Sequence, residues 1–213
     1  MTADRLLEPL IGAADRALRS IFAPSQALRP HPAPVRDGAE PELSDPQARH
    51  AAGLMRINHS GEMAAQALYH GQALLARNSQ TRAWLLKAAS EETDHLAWCE
   101  TRLTELGSRP SLLAPLWYAA SFAIGAAAAA LGDRVSLGFV AETERQVEGH
   151  LNDHLDRLPP NDSRSRVILQ QMKEDEQRHG EQASQAGATE LPAPLKRLMF
   201  NTSRVMTVTS YWI

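Results

Sequence analysis

The sequence predicts an all-α protein, and three features of its 213 residues support that prediction. Apolar residues recur at helical spacing through most of the chain, and Gly or Pro follows most of these runs. Alternating patterns typical of strands are nearly absent, and aromatic residues make up only 5% of the chain. In addition, two segments carry the same helical pair, a Glu followed three residues later by a His. The class is therefore helix packed on helix.

Composition limits the kind of protein this can be. The length suits one domain with a sizeable core plus an appendage. A net charge of −3 provides no broad basic field, so we expect no nucleic-acid partner. The single cysteine, Cys99, excludes an internal disulfide. The first residues lack the pattern of a signal peptide, and a reducing cytoplasm is the simplest compartment.

Residues 1–45 are predicted to form an amphipathic helix followed by a Pro-rich tether. Apolar side chains recur at helical spacing within residues 3–22, with charged residues between them. This helix could dock on the rest of the protein, on a partner or on a membrane surface. Prolines are dense between residues 23 and 46 and prevent a stable helix there. The main domain is therefore predicted to span residues 46–213.

Within the main domain, the pattern predicts five helices around one uncharged segment. Ser44 or Asp45 can cap the first helix, and Gly107, the Pro159-Pro160 pair and Gly187 mark the ends of three others. The predicted helices cover residues 46–77, 80–106, 134–158, 162–186 and 193–211, and the uncharged segment covers residues 111–132.

The repeated pair is the strongest chemical signal in the chain. It occurs at Glu92 and His95 and again at Glu176 and His179. Positions three apart share one face of a helix, so each pair can offer a carboxylate and an imidazole to one ion. With one more Glu from each of two other helices, the set matches a four-helix di-iron bundle. A single such pair would more simply be an exposed helical pair, but its repetition favours metal binding.

The two additional carboxylates are sought on the helices that precede the repeated pairs. Residues 46–77 contain one Glu, Glu62, whereas residues 134–158 contain Glu142, Glu144 and Glu148, among which spacing does not select. Buried carboxylates repel each other strongly unless a cation neutralises them. Oxygen-rich ligands with one imidazole per ion suit iron or manganese better than structural zinc. Two irons point to O2 activation, although iron storage would use similar ligands.

The uncharged segment helps to separate these functions. Residues 112–131 are about long enough to span a bilayer, but a crossing would place Glu62 and Glu92 across ~30 Å of hydrocarbon from Glu144 and Glu176. The segment is therefore either a buried connector or a helix in the membrane interface that admits a lipid-like substrate. An iron-storage protein would need a soluble surface here, and a structural membrane adaptor would leave four buried acids unexplained.

Several residues near the predicted ligands could support them. Tyr69 lies on the same helical face as Glu62 and could hydrogen-bond a ligand, relay electrons or pack in the core. His150 lies off the inward face, which favours a substrate-side or surface role. Asp175 is placed to orient a ligating imidazole, and Arg178 to balance carboxylate charge.

Four motifs resemble the demethoxyubiquinone hydroxylase family of ubiquinone biosynthesis. They are NHSGEMAA at residues 58–65, ETDHL at 92–96, PLW at 115–117 and DEQRH at 175–179, in the family's order. The resemblance runs from about residue 54 to the C-terminus and says nothing of residues 1–45. It implies a ferritin-like four-helix di-iron bundle with additional apolar and C-terminal helices. The implied activity is a monooxygenase that hydroxylates the ring of a demethoxyubiquinol and leaves a hydroxyl for a later methyltransferase.

The resemblance also implies roles for particular residues. The family's third-helix ligand falls on Glu144, and Glu92 and Glu176 are the expected bridges. His150 matches a family position, and Leu151 stands where some members have Tyr. The ligands implied for one iron are Glu62, Glu92 and His95, and those for the other are Glu144, Glu176 and His179.

The partners implied by the resemblance complete the set of expectations. Two Fe ions would be the cofactor and O2 the co-substrate, with electrons from an external donor. The quinol would come from the membrane, which the protein would contact peripherally on the cytoplasmic face of a bacterial inner membrane. Homo-oligomerisation or membership of a biosynthetic complex is left open.

Overall fold

A computed structural model describes residues 4–33 and 42–213, and within these ranges the chain forms helices and no strand. The all-α prediction is therefore confirmed, and most predicted helix ends lie within two residues of the observed ones. The helices are α1 Asp4–Phe22, α2 Asp45–Leu75, α3 Ser79–Glu105, α4 Ala114–Ala130, α5 Asp133–Arg157, α6 Ser163–Gln185 and α7 Ala193–Trp212.

The helix ends follow from identifiable side chains. The Asn78 side chain accepts a hydrogen bond from the Gln80 amide at the start of α3, and Asp162 does the same for the Ser165 amide at the start of α6. After α3 and α6 the chain turns at Gly107 and Gly187, whose φ angles of 65° and 95° suit glycine best. Side-chain caps thus explain where α3 and α6 begin, and glycines with positive φ explain where they end.

Helices α2, α3, α5 and α6 form a four-helix bundle. The α2/α3 and α5/α6 hairpins pack against each other, and α4 lies in the long connection between them. A single long crossover of this kind is the ferritin-like connectivity. The predicted ferritin-like bundle is therefore confirmed.

Two apolar layers stabilise the bundle above and below its middle. One layer includes Leu54, Trp98 and Met172, and the other includes Tyr69 and Leu85; all five side chains are buried. Burying each such side chain contributes about 1.5–3 kcal/mol, which the cost of ordering the chain largely offsets. Along every bundle helix, the predicted metal ligands lie between the residues of these two layers. The ligands are therefore buried between the two layers.

Helix α4 packs on α2 with direct backbone contact. A side chain at Gly71 would collide with the carbonyl oxygen of Phe122, and one at Gly125 would collide with that of Leu68. The outer side of α4 remains apolar and exposed, as at Leu116. The segment is thus packed on the bundle as a connector and still presents an apolar surface. Within the described ranges, no helix combines the length and the apolar character needed to cross a membrane.

Helices α1 and α7 also combine a packed face with an exposed apolar one. Ala17 and Ile21 of α1 pack against α2 and α4, and Leu195 and Met199 of α7 pack beside Phe139. Of the three contacts that the sequence left open for α1, the structure shows docking on the rest of the protein. The exposed apolar side chains are Leu7, Leu10, Ile11, Leu18 and Phe22 on α1, and Leu198, Phe200, Val205, Val208 and Trp212 on α7.

The segment after α1 follows the outside of α3. The Ser25 hydroxyl donates to Glu100 at 2.7 Å, and the Leu28 amide donates to Asp94 at 2.6 Å. Part of the predicted tether is therefore fastened to the bundle. Its residues 34–41 lie outside the described residues, and the domain boundary after residue 45 stays a prediction.

Candidate metal centre

The six predicted ligands meet in the middle of the bundle. Helices α2 and α5 each contribute one Glu, and α3 and α6 each contribute a Glu and a His. Their donor atoms form two groups that share Glu176, and within each group the atoms lie within 4.8 Å of one another. All six residues are at most 2% exposed: Glu62, Glu92, His95, Glu144, Glu176 and His179. The structure therefore brings the predicted set together, while its occupancy by iron stays a prediction.

One half of the centre surrounds His95. Its Nδ1 atom lies 3.2 Å from Glu62, 3.0 Å from Glu92 and 3.1 Å from Glu176. Its other ring nitrogen, Nε2, lies 3.0 Å from Asp175 Oδ2. When Nε2–H donates to Asp175, the lone pair of Nδ1 points at the three carboxylates, where an ion would lie.

The other half surrounds His179 in the same way. Its Nδ1 atom lies 3.2 Å from Glu176 and 3.4 Å from Glu92, and Glu144 completes this half. The Nε2 atom lies 2.8 Å from Glu91. Both imidazoles therefore turn Nδ1 inward and are held from behind by an acid.

Glu92 and Glu176 each divide their two oxygens between the halves. Glu92 places Oε2 near His95 and Oε1 near His179, whereas Glu176 places Oε1 near His95 and Oε2 near His179. A carboxylate that presents one oxygen to each half is arranged to bridge two ions. This geometry agrees with the bridging roles that the family resemblance implies.

The acids behind the imidazoles are exchanged between the two helices. Asp175 of α6 holds His95 of α3, and Glu91 of α3 holds His179 of α6. Arg178 joins the two acids, at 2.7 Å from Asp175 and 2.9 Å from Glu91. Sequence reasoning anticipated Asp175 and Arg178 but assigned no role to Glu91. The signal was available, because each repeated pair has an acid directly before it.

The structure also distinguishes the three glutamates of α5. Glu142 pairs with Arg145, and Glu148 accepts a hydrogen bond from Gln177 at 2.5 Å. Glu144 points into the cluster, and neither of its buried oxygens receives a hydrogen bond from a described residue. A buried carboxylate without a donor is unfavourable unless a cation accompanies it. Glu144 is therefore the α5 residue that the centre includes.

The electrostatics of the cluster favour added positive charge. Burial raises the pKa of Glu62 and Glu144 well above the usual range for a carboxyl group. Burial alone would lower the pKa of His179, but Glu176 and Glu92 raise it to about 12. Four carboxylates carry the same charge that two divalent cations would neutralise. Since the donors are mostly hard oxygens with one imidazole for each half, the residues present fit a pair of iron ions.

Asp175 is held as an anion by its neighbours. Burial would raise its pKa, but hydrogen bonds from His95, Arg178 and Arg29 hold it well below the usual range. An ionised carboxylate is the stronger acceptor for the Nε2–H of His95. Arg29 comes from the predicted tether, and sequence reasoning missed it because one Arg in a Pro-rich stretch gives no signal of a metal site.

Tyr69 and His150, the two other predicted functional residues, occupy different positions. Tyr69 is fully buried with its ring edge-on to His179, 6.5 Å between centroids, and its hydroxyl has no hydrogen-bond partner among the described residues. His150 lies outside the cluster and packs its ring against His154 at 4.1 Å. Tyr69 is thus next to the centre. Its role as a relay or hydrogen-bond donor, and the substrate-side or surface role of His150, stay predictions.

A cavity of about 740 Å³ between α5 and α6 reaches the centre at Glu144 and Glu176. Its walls include charged residues such as Glu142, Arg145 and Lys196. This cavity lies along the side of the bundle, and charged and polar residues make up most of its lining.

Comparison with known proteins identifies a family and close relatives. The family described as "Ubiquinone biosynthesis protein COQ7" matches residues 49–210. A 3-demethoxyubiquinol 3-hydroxylase from Ralstonia pickettii is 56% identical over 98% of this chain and 100% of its own length. Proteins of the same name from Cupriavidus taiwanensis and Laribacter hongkongensis are 58% and 56% identical, over 97% and 98% of this chain and the whole of each relative. The similarity therefore extends through most of the N-terminal region as well.

Proposed function

Because the chain belongs to the family of the ubiquinone biosynthesis protein COQ7, we propose that it is a 3-demethoxyubiquinol 3-hydroxylase with a di-iron centre that uses O2. The observation that carries the proposal is the buried set of four carboxylates and two imidazoles, arranged as two halves with shared glutamates. The names of relatives at 56–58% identity supply the substrate.

In this proposal Glu62, Glu92 and His95 hold one iron, and Glu144, Glu176 and His179 hold the other. The chemistry that a pair of irons supplies in such a site is the activation of O2, with electrons from an external donor. The protein's own residues provide the enclosure and the orientation. Asp175 and Glu91 fix the two imidazoles, and the apolar layers enclose the ligands above and below.

We also propose that the protein takes its quinol from a membrane to which it binds peripherally. The exposed apolar side chains on α4 and α7 supply a surface for the lipid interface, and those on α1 can extend it. A quinol with an isoprenoid tail is insoluble in water, so an enzyme acting on it needs such a surface. The cytoplasmic face of a bacterial inner membrane is the location we propose.

A ferroxidase or iron-storage function is the second candidate. The cavity beside Glu144 and Glu176 favours it, because the charged residues in its lining would attract ions toward the centre. The exposed apolar faces argue against it, since a soluble storage protein has no use for them.

The reaction itself distinguishes the two functions. The iron-loaded full-length protein is supplied with a reductant, a demethoxyubiquinol in vesicles and 18O2. The proposal expects one labelled hydroxyl in the quinol product. Iron oxidation with no quinol product would favour the ferroxidase function. A quinol product whose new hydroxyl is unlabelled, with its oxygen from water, would contradict an O2-dependent hydroxylase.

A further inference from the structure

The N-terminal segment contributes a cation to the surroundings of the metal centre. Residues 25–29 are fastened to α3 through Glu100 and Asp94, and this brings Arg29 over the outer end of His95. The guanidinium Nε lies 2.6 Å from Asp94, and its NH1 lies 2.8 Å from Asp175 Oδ2. That is the same Asp175 oxygen that faces His95 Nε2. Arg29 and His95 therefore share one acceptor atom.

The position of Arg29 is defined on several sides. Its guanidinium carbon lies 4.8 Å from the centroid of the buried Trp98 ring, close enough for a cation–π contact. The Trp98 ring in turn lies 5.3 Å from the His95 ring. The side chain is one-third exposed, so the charge is partly solvated while its planar group stays fixed by two carboxylates and an indole.

Only the His95 half receives this support among the described residues. Asp175 is contacted by both Arg29 and Arg178, and its side chain is 1% exposed. Glu91, the corresponding acid behind His179, is 21% exposed and is contacted by Arg178 and, at 3.6 Å, by Lys87. The internal repeat builds the two halves alike, and the N-terminal segment makes them unequal.

We propose that Arg29 is a positioning residue for the His95 half of the metal centre. It fixes the Asp175 carboxylate so that Oδ2 accepts the Nε2–H of His95, which leaves Nδ1 directed at Glu62, Glu92 and Glu176. The inference rests on the proposed function only in treating the six-residue cluster as an iron site. It assigns the predicted tether a part in that site, since the cation comes from outside the four-helix bundle.

Loss of Arg29 has two consequences for His95. Arg178 still holds Oδ1 of Asp175, but Oδ2 loses its ion pair and with it one constraint on the imidazole. The charge of Asp175, then balanced by Arg178 alone, also makes the imidazole a stronger donor, which opposes the loss. The expected weakening of iron binding therefore comes from the lost constraint on the imidazole. The effect is therefore on one iron and not on both.

The test is anaerobic titration of the metal-free full-length protein with 57Fe(II), followed by Mössbauer spectroscopy. His95→Ala identifies the signal of the iron in the His95 half. We expect Arg29→Ala to weaken iron binding in that half about tenfold, the lower end of what loss of a ligand's partner costs, and to leave the other half unchanged. Arg29→Lys keeps the charge and should recover part of the loss. Arg29→Gln keeps hydrogen bonding without the charge and serves if the alanine variant is poorly folded.

Ser25→Ala is the matched control, because it loosens the same segment without touching Asp175. It should bind iron like the unmodified protein. Equal losses in Ser25→Ala and Arg29→Ala, or unchanged iron binding in Arg29→Ala, would overturn the proposal. A chain that binds no iron at all would instead contradict the proposed function, so the two failures are distinguishable.

A double-mutant cycle tests the route through Asp175. In the Asp175→Asn background, removing Arg29 should have little further effect on the iron of the His95 half. A further tenfold loss in that background would show that Arg29 acts by another route and would overturn the assignment.

Discussion

The two halves of the metal centre have the same ligands by type but different surroundings. Each half has one Glu from a helix without the repeat, one His, and an acid from the opposite helix behind that His. The acid behind His95 is fully enclosed and meets two arginines, whereas the acid behind His179 is partly solvated. The sequence repeat thus specifies four of the six ligands, and neighbours outside the repeat make the surroundings of the two halves unequal.

Removing Glu144 should produce the largest difference between the halves. Glu144→Ala takes away a ligand of the His179 half alone, and we expect iron affinity there and hydroxylation to fall by well over about 100-fold, since even partners of ligands cost 10–100-fold. Glu148→Ala is the control, because Glu148 lies one turn away and bonds Gln177. Iron analysis and product assay check both variants. Full iron after Glu144→Ala with loss after Glu148→Ala would reverse the assignment.

Substituting the acids behind the imidazoles should show that the two halves depend to different degrees on these acids. Asp175→Asn replaces a buried carboxylate that pairs with two arginines by a neutral amide. We therefore expect the iron affinity of the His95 half to fall about 100-fold. Glu91→Gln, in a partly solvated place, should cost about tenfold in the His179 half. Titration of each half with ferrous iron measures both. Equal losses would mean that burial of the acid is unimportant.

Removing the metal should destabilise the whole bundle, because both halves tie α3 to α6. At free iron 100 times the dissociation constant, one site stabilises the folded state by about 2.7 kcal/mol. Chelation should therefore lower the melting temperature of the unmodified chain more than that of Glu144→Ala, which has already lost one half. Calorimetry with and without a chelator provides the comparison. Identical shifts in the two proteins would argue that the His179 half adds no stability or that Glu144 is not one of its ligands.

Substitutions on the outer helices should leave both halves unchanged. Trp212 is largely exposed near the end of α7, and Trp212→Ala should weaken vesicle binding roughly tenfold while iron content stays the same. Thr202→Ala is the matched control, since its hydroxyl donates to the carbonyl oxygen of Leu198 in its own helix. Vesicle co-sedimentation with parallel iron analysis measures both effects. Unchanged vesicle binding would contradict a lipid contact through α7.

Much of the centre could be predicted because its residues follow helical spacing. The pairs at Glu92 and Glu176 lie on one face of each helix, and Glu62 was the only candidate on its helix. Spacing did not separate Glu142, Glu144 and Glu148, because Glu144 and Glu148 share a face one turn apart and no local signal showed which face of α5 turns inward. The selection depends on Arg145 and Gln177, whose contacts with Glu142 and Glu148 appear only when the helices are assembled.

Contacts between distant segments were harder to predict. Arg29 meets Asp175 through the path that the chain takes after α1, and no local pattern encodes that path. The exchange of Asp175 and Glu91 between helices depends on how α3 and α6 lie against each other. The cavity between α5 and α6 is also formed by distant segments, because residues after α6 complete its lining. Periodicity identifies a buried face, but it does not specify which distant residue completes it.

We infer that the two halves hold two irons joined by Glu92 and Glu176. Crystals of the iron-loaded protein, with anomalous data collected on both sides of the iron absorption edge, would locate these ions. We expect two iron peaks inside the bundle, one beside Nδ1 of His95 and one beside Nδ1 of His179, with an oxygen of each shared glutamate toward each peak. A single peak, or iron confined to the cavity near Glu142 and Glu148, would contradict it.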